Sequence, residues 1–106
     1  PTRPGVTQPL LWLAPAGPPR ATLLLFNGGA GGLGLRPDGT ITRGEGNFLV
    51  RSRQAFVDAG FAVALLDAPS DRQGPPWLQG FRTTPEHAAD VRAAIAALRS
   101  RSAAPV

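Results

Sequence analysis

The residues with the clearest chemical potential are the glycines of the segment LLFNGGAGGLG, residues 24–34, which continues an apolar run. Backbone N–H groups next to glycine can approach a ligand closely, because no Cβ atom intervenes. Such groups can cradle a dinucleotide pyrophosphate, donate hydrogen bonds to an oxyanion during acyl transfer, or simply belong to a turn. The remainder of the sequence must distinguish these three possibilities.

A dinucleotide site fits the loop poorly. Gly29, Gly31 and Gly34 have the spacing G-x-G-x-x-G, but that fingerprint requires a helix that begins in the loop. Residues 35–46 contain further glycines and a proline instead. The fingerprint also places an acid about 20 residues after the loop, whereas Asp67 lies 67 − 34 = 33 residues after Gly34. The spacing therefore argues against a nucleotide cofactor.

Apolar patterning predicts three strands and two helices around this loop. The strands are expected at residues 6–15, 21–27 and 61–67, and the helices at residues 47–60 and 84–101. Pro9 interrupts the first strand, which suits an edge or a strand start. Strands that alternate with helices predict an α/β fold with a mainly parallel sheet and flanking helices.

Capping residues delimit both predicted helices. Asn47 and Thr84 are suitable N-caps, and Gly60 is a suitable C-terminal stop. The first helix is expected to bury one face, formed by Phe48, Leu49, Phe56 and Val57. The second is expected to bury a stripe formed by Ala88, Val91, Ile95 and Leu98.

The amino-acid composition argues against several kinds of binding partner. The net charge of +4 comes from eleven arginines and seven acids, with no lysine, and the arginines are scattered singly rather than clustered. This pattern argues against nucleic-acid binding. Without cysteine there is no disulfide or thiolate metal site. No run of 18 apolar residues occurs, so no membrane span is expected.

The order of elements and three segments resemble the α/β-hydrolase superfamily. The residues around NFLVRSR and DAPSD resemble an uncharacterised bacterial branch of it. LLLFNGGAGG, residues 23–32, occupies the place of the His-Gly-Gly-x oxyanion motif after the third strand, with Asn27 where His is usual. Residues 60–71 resemble the fourth strand and its Asp-x-Pro loop. Residues 87–99 resemble the helix that precedes the nucleophile. The resemblance implies an incomplete three-layer αβα hydrolase fold, with residues 1–106 as the N-terminal portion of one domain.

The resemblance implies an oxyanion-hole loop without its nucleophile. No G-x-S-x-G elbow occurs in these 106 residues, and it is expected on a strand that begins near Val106, with the acid and the catalytic histidine farther on. The family's strand order 1-2-4-3-5 leaves the strand at residues 21–27 with an unpaired edge, through which the fragment is expected to self-associate. No cofactor is implied, and localisation stays open between the bacterial cytoplasm and the periplasm or exterior.

The resemblance also implies roles for individual residues. Gly29 and Ala30 match the positions whose backbone N–H groups bind the oxyanion of a small acyl or ester substrate. Further candidates for contact with the substrate are Asn27, Gly28, Ser70 and Arg82. A side chain at Gly29 is expected to crowd the backbone and the substrate, so Gly29→Val should lower the catalytic rate by about a hundredfold or more. Gly34 lies beyond the hole, and Gly34→Ala should lower the rate much less.

Several polar residues have simpler alternatives. Asp67, Asp71 and Arg82 could line the site, but a turn, a cap or an ion pair suits them better. His87 is the one histidine, and a hydrogen bond at the helix end suits it better than catalysis. Trp77 and Phe81 are expected to pack rather than to roof a pocket. The alternative function is a non-catalytic binding module whose glycine-rich loop holds an anion or a nucleotide phosphate.

Overall fold

Three short strands form one mixed sheet in the computed structural model, which describes residues 2–106. Strand β1 spans Leu10–Leu13, β2 spans Thr22–Phe26 and β3 spans Ala62–Leu66. The spatial order is β1-β3-β2, so β3 is central and fully buried. β2 pairs with β3 in parallel, from Thr22 opposite Ala62 to Phe26 opposite Leu66.

The expected mainly parallel sheet is wrong, because β1 runs antiparallel to β3. Leu10 lies opposite Leu66 and Leu13 opposite Val63. The short connection between β1 and β2, residues 14–21, contains no helix and reverses the chain, so these two strands run in opposite directions on either side of β3. β2 reaches β3 through a long connection that contains helices, and such a connection allows parallel pairing. The α/β class is therefore confirmed, with a mixed sheet.

Two short helices replace the single helix predicted over residues 47–60. Helix α1 spans Phe48–Arg51 and α2 spans Arg53–Asp58, with Ser52 between them. The predicted N-cap is confirmed, since the Asn47 side chain accepts the Leu49 N–H at 3.3 Å. The predicted stop is also confirmed, since Gly60 has a φ of 98° in the left-handed region.

The main core lies between these helices and one face of the sheet. Alternate strand residues point to this face, as the pleat requires. The buried members are Leu25, Leu33, Ile41, Val50, Val63 and Leu65. The predicted helix face is partly wrong, because Phe48 is 61% exposed whereas Val50 is fully buried. A one-turn helix is too short for periodicity to fix its orientation.

Helix α3 spans Pro85–Arg101 and lies near the other face of the sheet, where Arg101 stacks over Trp12 at 5.6 Å. Its N-cap is as predicted, with the Thr84 hydroxyl accepting the His87 N–H at 3.3 Å. A 3₁₀ turn at Ser70–Arg72 precedes it. No helix within residues 2–106 has the length and apolar character needed to cross a bilayer.

The buried stripe of α3 differs from the predicted one. Its buried residues are His87, Asp90, Ala94 and Leu98. Of the predicted stripe only Leu98 is buried; Val91 and Ile95 are half-buried and line an open groove with Phe26. Asp90 is buried because Arg3 bonds to its carboxylate at 2.9 Å. The buried face of α3 thus includes an ion pair with the N-terminal segment, which the apolar pattern alone does not indicate.

Candidate functional site

The glycine-rich loop begins with a tight turn directly after β2. The Gly31 N–H donates to the Gly28 carbonyl at 3.1 Å, which closes the turn. Gly29 has a φ of 61°, a conformation in which side chains are strained. A Cβ at Gly29 would meet nothing within 4 Å. The need for glycine here is therefore conformational, and the expectation that a side chain would crowd the backbone is wrong.

The two residues predicted as oxyanion donors have N–H groups that are not used within residues 2–106. Among residues 2–106, no acceptor receives a hydrogen bond from the N–H of Gly28, Gly29 or Ala30. Gly28 and Gly29 are exposed and Ala30 is half-buried. We refer to residues 28–30 as the crest of the loop. Its N–H groups are available to an external acceptor.

Residues 31–35, which we call the base of the loop, are bonded to Asp67. One carboxylate oxygen of Asp67 accepts the Leu33 N–H at 2.7 Å, and the other accepts the Leu35 N–H at 2.9 Å. The first oxygen also accepts the Ala68 N–H at 2.7 Å. Asp67 is only 1% exposed. The carboxylate at the end of β3 therefore fixes the backbone of the loop that follows β2.

The segment around Trp77 covers the base from the other side. A Cβ at Gly32 would overlap the Trp77 ring, so the indole lies directly against the backbone. The Leu78 N–H donates to the Ala30 carbonyl at 2.8 Å. The guanidinium of Arg43 lies 4.3 Å from the Trp77 ring centroid. Trp77 thus packs, as predicted, but against the candidate site itself.

Asn27 and Arg82 meet at the point where β2 enters the loop. Asn27 is buried, and its amide nitrogen donates to the Gly32 carbonyl at 3.4 Å. Arg82 donates to the Asn27 carbonyl at 3.1 Å and reaches the space beside Gly31. Both predicted residues therefore lie at the loop. Asn27 hydrogen-bonds to the loop backbone, and Arg82 places a positive charge near the crest.

Gly34 is more constrained than the sequence suggested. It has a φ of 59°, and a Cβ there would overlap the hydroxyl of Thr42, which donates to the Gly34 carbonyl at 2.9 Å. An alanine at Gly34 would therefore strain the backbone and displace Thr42, while its effect on the catalytic rate stays a prediction. The residue lies beyond the crest, as expected, but it closes the far end of the base.

Ser70 and Asp71 contact the N-terminal segment instead of the loop. The Ser70 hydroxyl accepts the Thr7 N–H at 2.9 Å. Asp71 accepts two hydrogen bonds from Arg3, at 2.9 and 3.1 Å. These bonds hold the pKa of Asp71 below its usual range. The hydrogen bond of Ser70 therefore gives no support to its predicted contact with the substrate. Asp71 forms an ion pair, which was one of the simpler roles expected of it.

His87 is buried beside Phe81, with the two ring centroids 5.6 Å apart. Burial lowers the pKa of His87, because the charged form loses hydration. The helix-end bond expected of it is made by its backbone N–H, and its Nδ1 has no partner among the described residues. His87 lines the open groove of α3 together with Arg82. It does not hydrogen-bond to the glycine-rich loop.

Searches against protein families, curated proteins and solved structures return no match to this chain. Within residues 2–106 no three His, Asp or Glu side chains lie close enough to share a metal ion. The loop offers backbone donors, and its hydrogen-bond partners include no serine and no histidine. It can stabilise negative charge, but it brings no nucleophile of its own.

Proposed function

We propose that residues 1–106 supply the oxyanion-hole loop of a serine hydrolase of the α/β-hydrolase superfamily, which cleaves an ester or a related acyl bond. The observation that carries the proposal is the pair of unused N–H groups of Gly29 and Ala30, held above a base that is fixed by buried contacts. Donors that are already oriented stabilise the oxyanion without reorganising during the reaction.

The strand order supports this proposal. If β1, β2 and β3 correspond to the second, third and fourth strands of the family, the order 1-2-4-3-5 predicts β1-β3-β2, which is the order observed. β2 then ends where the family has its oxyanion loop, and β3 ends in the Asp67 loop. The strand order and the loop at the end of β2 together support the proposal.

The position of Pro105 also supports it. The Thr22 N–H donates to the Pro105 carbonyl at 2.7 Å, on the edge of β2 that faces away from β3. In the family's order the fifth strand, which carries the nucleophile, stands at that edge. We therefore propose that the G-x-S-x-G serine lies on a strand at this edge, outside residues 1–106, as do the acid and the catalytic histidine. Residues 1–106 alone then hydrolyse no ester.

The chemical role of the loop follows from the acyl-transfer reaction. Attack on the ester carbonyl moves negative charge onto its oxygen. The N–H groups of Gly29 and Ala30 donate to that oxygen, and one further donor comes from the residue after the serine. Loss of one such donor costs about 3 kcal/mol of transition-state stabilisation. The positive charge of Arg82, which lies near Gly31, would further stabilise the negative charge on the oxyanion.

A second candidate function rests on the same crest. Three successive residues, Gly28, Gly29 and Ala30, have N–H groups that are not used within the described residues. Successive free N–H groups next to a residue in the left-handed region can form a nest that binds an anion. Under this candidate the chain is a binding module for a phosphate group, without catalysis.

The test is to express the complete product of the gene and to measure hydrolysis of a generic ester and labelling by a fluorophosphonate. We expect Gly29→Val to lower kcat by about a hundredfold or more, while Gly17→Val, a change at an open turn glycine with ordinary φ, leaves it unchanged. Unchanged activity in a folded Gly29→Val protein contradicts the oxyanion role. Binding of inorganic phosphate that Gly29→Val abolishes, without hydrolysis in the wild type, favours the second candidate.

A further inference from the structure

Asp67 carries a buried charge that no cation neutralises within residues 2–106. Burial of a carboxylate is costly unless hydrogen bonds replace its hydration. Here three backbone N–H groups do so, and two of them, from Leu33 and Leu35, belong to the loop. Bonds of this kind are roughly twice as strong as those between neutral groups. The protein thus places a buried charge where it restrains the loop.

The two carboxylate oxygens of Asp67 accept hydrogen bonds from alternate residues of the loop. One accepts from Leu33 and the other from Leu35, so the Gly32–Leu33 and Gly34–Leu35 peptide planes are both held by a single side chain. Upstream, the ring of Trp77 lies against Gly32 and the Leu78 N–H holds the Ala30 carbonyl. The crest is therefore the continuation of a backbone segment with few free torsions.

Asp67 is itself held in place by the segment that precedes β1. Its N–H donates to the Pro9 carbonyl at 3.1 Å, and its carbonyl accepts from the Gln8 side chain at 2.6 Å. The residue thus joins the end of β3, the N-terminal segment and the glycine-rich loop. Because its backbone is held on both sides, Asp67 offers its carboxylate to the loop from a fixed position in the sheet.

We infer that Asp67 is the positioning residue of the loop: its carboxylate holds the base so that the Gly29 and Ala30 N–H groups point to one shared acceptor. The inference rests on the proposed function for its role in catalysis, but the restraint of the loop can be measured without activity. The Asp67 carboxylate accepts hydrogen bonds from backbone N–H groups, so its role is to position the loop and not to take part in the reaction itself. Small displacements matter here, because oxyanion donors act only within hydrogen-bond distance.

Hydrogen exchange of assigned amides tests the restraint in the 106-residue chain. Asp67→Asn keeps the shape but sets an NH₂ group against one loop N–H, and Val63→Ala is a control that removes buried volume from β3. We expect Asp67→Asn to speed exchange at Leu33 and Leu35 by about tenfold or more relative to β3 amides. Val63→Ala should change both sets together. An unchanged ratio in Asp67→Asn overturns the inference.

A measurement on the wild-type chain guards against a variant that fails to fold. Scalar couplings across the hydrogen bonds should connect the Leu33 and Leu35 nitrogens with the Asp67 carboxyl carbon, and absence of both couplings overturns the inference. In the complete gene product, Asp67→Asn should lower kcat with little change in KM, and Val63→Ala should change neither. Restraint without any hydrolysis would refute the proposed function and leave the positioning of the loop intact.

Discussion

The crest and the base of the glycine-rich loop are adjacent in sequence but are held in opposite ways. In the base, Leu33 and Leu35 donate to Asp67, and Gly32 lies under the ring of Trp77. In the crest, the N–H groups of Gly29 and Ala30 have no acceptor among residues 2–106. The glycines of the two parts therefore serve different purposes, although the sequence presents them as one run.

This difference is the arrangement that a preorganised anion site requires. Donors must be free to bind, and the backbone that carries them must not need to rearrange. In the base, glycine admits close neighbours; at Gly29 it allows a φ of 61° in open space. Substitutions in the base should therefore lower stability, whereas substitutions in the crest should act mainly on binding or catalysis.

The largest expected effect on stability is that of Gly32→Ala. The new Cβ would overlap the Trp77 ring, which is too rigid to yield easily, so we expect unfolding to become about 2–3 kcal/mol easier. Gly28→Ala, in the crest, has ordinary φ and meets only the Asn47 amide at 3.0 Å. It should cost about 0.5 kcal/mol or less. Urea unfolding of both variants measures the difference. Equal losses in the free energy of unfolding would contradict the claim that the base is held more tightly than the crest.

A smaller effect concerns the edge of β2 from which the crest emerges. The Ala21 carbonyl accepts from Ala62, so residues 22, 24 and 26 present their backbone groups to the free edge, where Pro105 satisfies only the first. We expect the 106-residue chain to self-associate through this edge.

Sedimentation velocity of two variants tests the location of this contact. Phe26 is 43% exposed on the edge strand, and Phe48 is 61% exposed on α1. We expect Phe26→Lys to shift the chain towards monomer, because a charge on an edge strand opposes pairing. Phe48→Lys should leave the association unchanged. A wild-type chain that is monomeric at all accessible concentrations contradicts the prediction.

The sequence was sufficient to predict the α/β class, the three strands and the start of both helical regions. Those predictions rest on local signals: apolar runs, the N-caps Asn47 and Thr84, and the stop at Gly60. The direction of β1 was mispredicted because strand pairing is non-local. The buried stripe of α3 was mispredicted for a similar reason, since the buried Asp90 pairs with Arg3, which lies 87 positions away in the sequence.

The candidate site was predicted at its crest and missed at its base. Gly29 and Ala30 follow an apolar run directly, which is a local signal. For Asp67 the sequence favours a turn, a cap or an ion pair over a place in the site, because nothing in the spacing indicates that its carboxylate reaches Leu33 and Leu35. The available signal was an acid that ends a fully apolar strand, where a charge must find partners. The contact between Gly34 and Thr42 could not be predicted either, because the two residues meet only when the loop folds back on itself.

The most direct test of the central claim is the response of the loop amides to a bound transition-state mimic. In the complete gene product, reaction with a phosphonate ester should place an anionic oxygen at the crest. We predict that the amide protons of Gly29 and Ala30 then shift strongly downfield and exchange slowly, while those of Leu33 and Leu35 stay unchanged because Asp67 already holds them. A labelled protein in which Gly29 and Ala30 do not respond, or in which the base rearranges with them, would contradict the account.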